Sequence, residues 1–121
     1  MTQTEEQGTL VRIFIGESDL WEKTPLYEAI VLAAREADLA GATVLRGLMG
    51  YGRHSRVHTA KILRLSQDLP IVIEIADRAD KIEAFLPAVD RMVTEGLVTL
   101  EQVRVLKYRG GEDRGNDQAG R

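Results

Sequence analysis

The hydrophobic period of this chain switches from two residues to about 3.6 and back, twice, and this constrains the fold more than any single motif. Leu10-Val-Arg-Ile-Phe-Ile15 is β-rich and ends at Gly16, the pattern of a first strand. Thr24 precedes Pro25, which predicts a helix start with threonine as N-cap and proline at the first helical position. Leu26, Ile30, Ala33 and Ala37 follow at helical spacing, and Gly41 is expected to stop the helix. Ala29, Ala34 and Ala40 would allow it to pack closely on a sheet. Residues 42–49 read as a second strand, with Gly47 marking a bulge. Pro70 opens a third, Ile71-Val-Ile-Glu-Ile-Ala76. Asp80 with Glu83 resembles a capping box, and Ile82, Phe85, Leu86, Val89 and Val93 form the stripe of a second helix that Gly96 ends. Pro87 inside that stripe should bend the helix or mark its true start. Residues 103–108 read as the fourth strand.

The order β-α-β-β-α-β predicts an α+β, ferredoxin-like fold, an antiparallel four-stranded sheet with two helices on one face. The other face must then be covered, and oligomerisation is the usual cover. The ordered domain is expected over residues 8–109. Residues 1–7 and 110–121 are polar and aperiodic, and are expected to be flexible.

With 121 residues the chain can bury one modest core. A formal net charge of -3 supplies no global attraction to nucleic acid or anionic lipid, so an anion site must come from local clustering. The absence of cysteine excludes disulfides, cysteine-ligated zinc and a thiol nucleophile. No apolar run approaches the ~20 residues of a membrane helix, and the N-terminus lacks a signal-peptide pattern. The expected compartment is the cytoplasm.

Clustering of that kind occurs in residues 50–67. Arg53, Arg56, Lys61 and Arg64 lie there with both histidines, His54 and His58, and no acidic residue precedes Asp68. A connection this long in a compact domain is usually functional or mobile. One reading is an anion- or phosphate-binding loop, in which Gly50 and Gly52 let backbone approach a ligand and Arg53 grips phosphate. The other is a solvated hairpin whose charges keep it soluble, and the residues alone leave both open. A metal site is not expected, because the two histidines have no third ligand beside them. Ser18, Ser55 and Ser66 have no base-and-orienter partners, so no nucleophile and no enzyme activity are expected. No Gly-Lys-Ser/Thr follows Gly50-Tyr-Gly52, so this is not a P-loop. Aromatic residues make up 5% of the chain, too few for a nucleic-acid stacking platform, and no nucleic-acid partner is expected.

Gly41-Ala-Thr-Val44 followed by Gly50-Tyr-Gly-Arg53 resembles the Gly-x-Thr-Val…Gly-Phe-Gly-Arg run of the nitrogen-regulatory PII proteins. Leu69-Pro70 with Ile73-Glu-Ile75, and Lys107-Tyr-Arg-Gly-Gly-Glu112, resemble the PII strand after its long loop and the PII C-terminal motif. Ile13-Phe-Ile-Gly-Glu-Ser-Asp19, Pro25-Leu-Tyr-Glu-Ala-Ile30, Gly41-Ala-Thr-Val-Leu-Arg-Gly47 and Gly96-Leu-Val-Thr-Leu-Glu101 are closer to the PII-like domain-of-unknown-function family 190. The resemblance implies a homotrimer with adenine-nucleotide sites in the clefts between subunits and no required cofactor. It places Thr43 near the base, Gly50, Tyr51, Gly52 and Arg53 around the phosphates, and Glu74 along the pocket through its backbone. Lys107 and Arg109 would add positive charge from the last strand. Arg56, His58, Lys61 and Arg64 would serve a partner-binding loop. By the same analogy the target protein is of the membrane transporter or channel kind. Three departures narrow the expectation. Residues 99–102, Thr-Leu-Glu-Gln, replace the Gly-Asp-Gly-Lys loop of PII, which favours AMP, ADP or a cyclic nucleotide over a triphosphate. No tyrosine follows Tyr51 in the loop, so PII-type uridylylation has no acceptor there. Trp21 and residues 17–23 have no PII counterpart, and Trp21 is expected to pack at a subunit contact or over the pocket. The alternative is a trimeric protein-interaction module that binds no nucleotide.

Overall fold

A computed structural model of the chain describes residues 6–52, 58–59 and 68–106. Strand β1 (Glu6–Gly16) runs into a small hairpin, β2 (Leu20–Trp21) and β3 (Thr24–Pro25), and then into helix α1 (Leu26–Glu36). Next come β4 (Thr43–Arg46) and a second small pair, β5 (Met49–Gly50) and β6 (His58–Thr59). The chain finishes with β7 (Pro70–Arg78), α2 (Ala79–Met92) and β8 (Leu97–Val105). The four long strands form one antiparallel sheet in the order β4-β7-β1-β8, with α1 and α2 on one face, the ferredoxin-like arrangement expected.

The core lies between that face and the helices. Val11, Ile13 and Ile15 of β1 alternate inward, as do Ile71, Ile73 and Ile75 of β7. They meet Leu26, Ile30 and Ala34 of α1 and Ile82, Phe85, Val89 and Met92 of α2. Each large side chain buried this way contributes about 1.5–3 kcal/mol. The opposite face is different. Register places Leu45, Val72, Phe14 and Leu97 in one row across all four strands, and Thr43, Glu74, Arg12 and Thr99 in the next charged and polar row. Leu45 and Leu97 are exposed there.

Several boundaries depart from the sequence reading, each for a local reason. β1 begins at Glu6, because Glu6 and Gln7 pair with Val105 and Arg104 of β8. Thr24 does not cap α1, since it pairs with Trp21 in the β2–β3 hairpin. The Leu26 amide instead donates to the Asp19 carbonyl at 2.8 Å. Gly41 does not end α1. Asp38 takes a left-handed φ of 63°, its amide donates to the Arg35 carbonyl at 3.0 Å, and the Leu39 amide donates to the Ala34 carbonyl at 3.1 Å. That pair of bonds is a Schellman stop. Asp80 makes no capping box. Its carboxylate accepts from Arg78 Nη2 at 2.9 Å, and α2 has no side-chain cap. α2 runs through Pro87 from Ala79, so the proline is not the helix start. The second strand ends at Arg46, and the Gly47 amide donates to the Pro70 carbonyl at 2.7 Å before the chain resumes as β5. The fourth strand runs Leu97–Val105, earlier than expected, so Thr99, Leu100, Glu101 and Gln102 lie inside a strand and not in a loop.

Candidate functional site

β4 and β7 place Thr43 directly opposite Glu74. Side chains of directly opposed residues project to the same side of a sheet, so these two candidates are neighbours on the open face. Glu74 is not free there. Its Oε2 accepts from Arg12 Nε at 3.0 Å, and Arg12 Nη1 donates to Glu101 Oε1 at 3.2 Å. The hydrogen bond to Glu74 holds the Arg12 guanidinium above its usual pKa, desolvation opposes it, and the charges of Glu74 and Glu101 add to it. Three strands thus share one ionic group whose formal charge is one cation against two carboxylates.

Past the end of β4 the chain crosses Pro70. A Cβ on Gly47 would lie 2.9 Å from the Pro70 ring, and one on Gly50 would lie 3.0 Å from it. A side chain at Gly47 would force the ring to shift, and one at Gly50 would crowd it. Gly50 pairs with His58 in the β5–β6 stem. Tyr51 is 71% exposed, and among the described residues nothing lies within 4 Å of a Cβ placed on Gly52. Pro70 lies four residues along β7 from Glu74, about 13 Å at strand rise. Thr43 and Glu74 therefore sit at mid-sheet on the open face, about 13 Å along β7 from the proline that Gly47 and Gly50 cross.

Arg53, Arg56, Lys61, Arg64, Lys107 and Arg109 lie outside the described residues, as does the side chain of His58. Trp21 is partly buried against the core. Arg12 escaped the sequence reading, although its signal was present as a lone cation inside an apolar alternation. Glu17 and Asp68 escaped it too, and no local pattern marks them. A groove between α1 and α2, lined by Ala33, Ala37, Phe85 and Ala88 with Glu36, Asp80 and Lys81 at its rim, holds none of the expected site residues. Among the described residues, no cluster of three or more potential metal ligands occurs, and no helix is long and apolar enough to cross a membrane.

Residues 8–105 match the profile of the DUF190 family, described as an uncharacterized ACR. A UPF0166 protein of Aquifex aeolicus is 39% identical over 97 residues, covering 80% of this chain and 91% of the relative. A UPF0166 protein of Methanocaldococcus jannaschii is 31% identical over 102 residues, covering 84% and 94%. Among solved structures, CPII from Thiomonas intermedia K12, a nitrogen regulatory PII-like protein bound to ADP, AMP and bicarbonate, superposes with a TM-score of 0.61. The superposition covers 86% of this chain and 92% of CPII at 18% identity, a likeness of fold. By its sequence match and its βαββαβ sheet order, the chain belongs to the DUF190 family and carries a PII-like fold.

Proposed function

We propose that this protein is a small PII-like regulator that assembles as a homotrimer and binds an adenine nucleotide where subunits meet. AMP, ADP or a cyclic nucleotide is the ligand class. Thr43 and Glu74 border the base, the turn of Gly50, Tyr51, Gly52 and Arg53 takes the phosphates, and Lys107 and Arg109 add charge. The signal passes through residues 50–67, with Arg56, His58, Lys61 and Arg64 meeting a target protein of the transporter or channel kind. The observation that carries this reading is Thr43 opposite Glu74 on the open face of a PII-like fold, with Gly50 packed on Pro70 about 13 Å along the same strand. The apolar row Leu45, Val72, Phe14 and Leu97 on the uncovered face supports self-assembly. Isothermal titration with AMP, ADP, ATP and cyclic AMP, beside light scattering for mass, tests both parts. Heat with AMP or ADP and a threefold mass are expected. No heat and no thermal shift with any of the four sinks the nucleotide.

A second reading, a trimeric interaction module without nucleotide, has one observation in its favour. Glu101 sits within β8 and pairs with Arg12, giving the Arg12–Glu74–Glu101 group two carboxylates against one cation beside Thr43, which opposes a phosphate. Under it, Arg53→Ala and Arg109→Ala leave titrations unchanged and alter partner capture.

A further inference from the structure

The turn at residues 16–19 supplies no residue to the proposed nucleotide site. It stands where the two legs of the 50–67 connection join the sheet. Arg46, on the first leg, donates from Nη2 to Glu17 Oε2 at 2.8 Å. On the second leg, Asp68 Oδ1 accepts from the Ser18 amide at 2.8 Å. Leu69 offers its carbonyl to the Glu17 amide at 2.8 Å. The legs are tied directly by the Gly47 amide on the Pro70 carbonyl at 2.7 Å. The turn is itself closed by the Gly16 amide on Asp19 Oδ2 at 2.9 Å, and the Asp19 carbonyl holds the first amide of α1. A Cβ on Gly16 would lie 2.7 Å from Asp68 Oδ1, so the carboxylate is seated against bare backbone.

We infer that this turn is a clasp that fixes the spacing of the two legs, with Glu17 and Asp68 as positioning residues for the ligand-binding stem. The role in ligand binding rests on the function proposed above, and the mechanical role does not. The physical argument is adjacency. Glu17 holds the first leg by its side chain and the second by its amide, and Ser18 holds the second by its amide. Loosening either leg frees the residue that holds the other. Links that share residues in this way are coupled, and their losses are not additive.

Amide hydrogen exchange at Glu17, Ser18 and Gly47 tests the mechanical role without any ligand. Asp68→Ala removes a group on the second leg, and Glu17→Ala releases the first. Each is expected to speed exchange at Gly47 about fivefold, the change that loss of one exposed charge-assisted link permits. The charge-reversed pair Glu17→Arg with Arg46→Glu should bring the rate back toward that of the native chain. Acceleration confined to Ser18 in Asp68→Ala, with Gly47 unchanged in both variants, overturns the clasp. Titration with AMP and ADP tests the positioning role. Both variants should bind about fivefold more weakly while still unfolding in one cooperative transition, and equal affinity in all three proteins refutes it. A native chain that binds neither nucleotide refutes the proposed ligand and the positioning role, and the exchange rates still decide the clasp.

Discussion

Replacing Asp77 with alanine is expected to be the most costly single change on the helix side of the sheet that leaves the apolar core intact. Among the described residues Asp77 is the one buried charged side chain, 2% exposed. It closes β7, and its two oxygens satisfy two backbone donors. Oδ2 accepts from the Ala40 amide at 2.9 Å, and Oδ1 accepts from the Arg78 amide at 2.7 Å. The second donor opens α2, where the helix dipole favours an anion. The first anchors the turn that leads into β4 and so to Thr43. A hydrogen bond to a charged group contributes roughly 1.5–3 kcal/mol. Both amides are partly reached by water, which offsets part of the loss, so about 3 kcal/mol is expected for Asp77→Ala. For a domain of this size that corresponds to a fall in Tm of roughly 12 °C. Asp77→Asn keeps one acceptor and should lose about half as much. Urea unfolding at fixed protein concentration measures both, with the slope m unchanged and the midpoint lowered. Exchange at the Ala40 amide should accelerate in parallel. A loss under about 1 kcal/mol for the alanine variant would refute the reasoning, because two charge-assisted bonds from one buried carboxylate should together exceed it.

Two further changes probe backbone conformation. Gly96 has a φ of +149°, and a Cβ there would lie 2.6 Å from the Phe14 carbonyl oxygen; Gly96→Ala should cost about 3 kcal/mol in urea unfolding, and a neutral result would show that the approach to β1 relaxes freely. Asp38 holds the left-handed position of the α1 stop at a φ of 63°. Asp38→Gly should stabilise by about 0.5 kcal/mol and Asp38→Val should destabilise by at least about 1 kcal/mol, and a reversed order in thermal melts would contradict the Schellman assignment.

The long elements were legible because burial imposes a period. Val11, Ile13 and Ile15 alternate inward, and Ile82, Phe85 and Val89 recur at helical spacing, so β1 and α2 declare themselves in one dimension. The helix ends did not, because capping signals compete with partners distant in sequence or claimed by other structure. Thr24 was claimed by a strand pair with Trp21, Asp80 by the Arg78 guanidinium, and the stop assigned to Gly41 was made by Asp38. β8 was misplaced because it is an edge strand with exposed residues on both faces, which erases the alternation that marks a half-buried strand. For the candidate site the sequence offered residues but not their neighbours. Thr43 and Glu74 came from a motif, and register then made them neighbours. Arg12 joining Glu74 and Glu101 across three strands, and Asp68 reaching Ser18, are contacts between distant residues that no local pattern encodes.

The position of β8 at the sheet margin sets a condition on how this protein can be made. Among the described residues no strand pairs with the outer edge of β8 (Leu97–Val105), and Leu97, Val98 and Leu100 are exposed beside it. Such a margin templates indiscriminate strand addition unless something occupies it. A newly synthesised chain that has folded but not found its partners therefore carries a sticky seam of its own. Its yield is then governed by a race between orderly association and clumping, and slow, dilute synthesis should favour the first over the second.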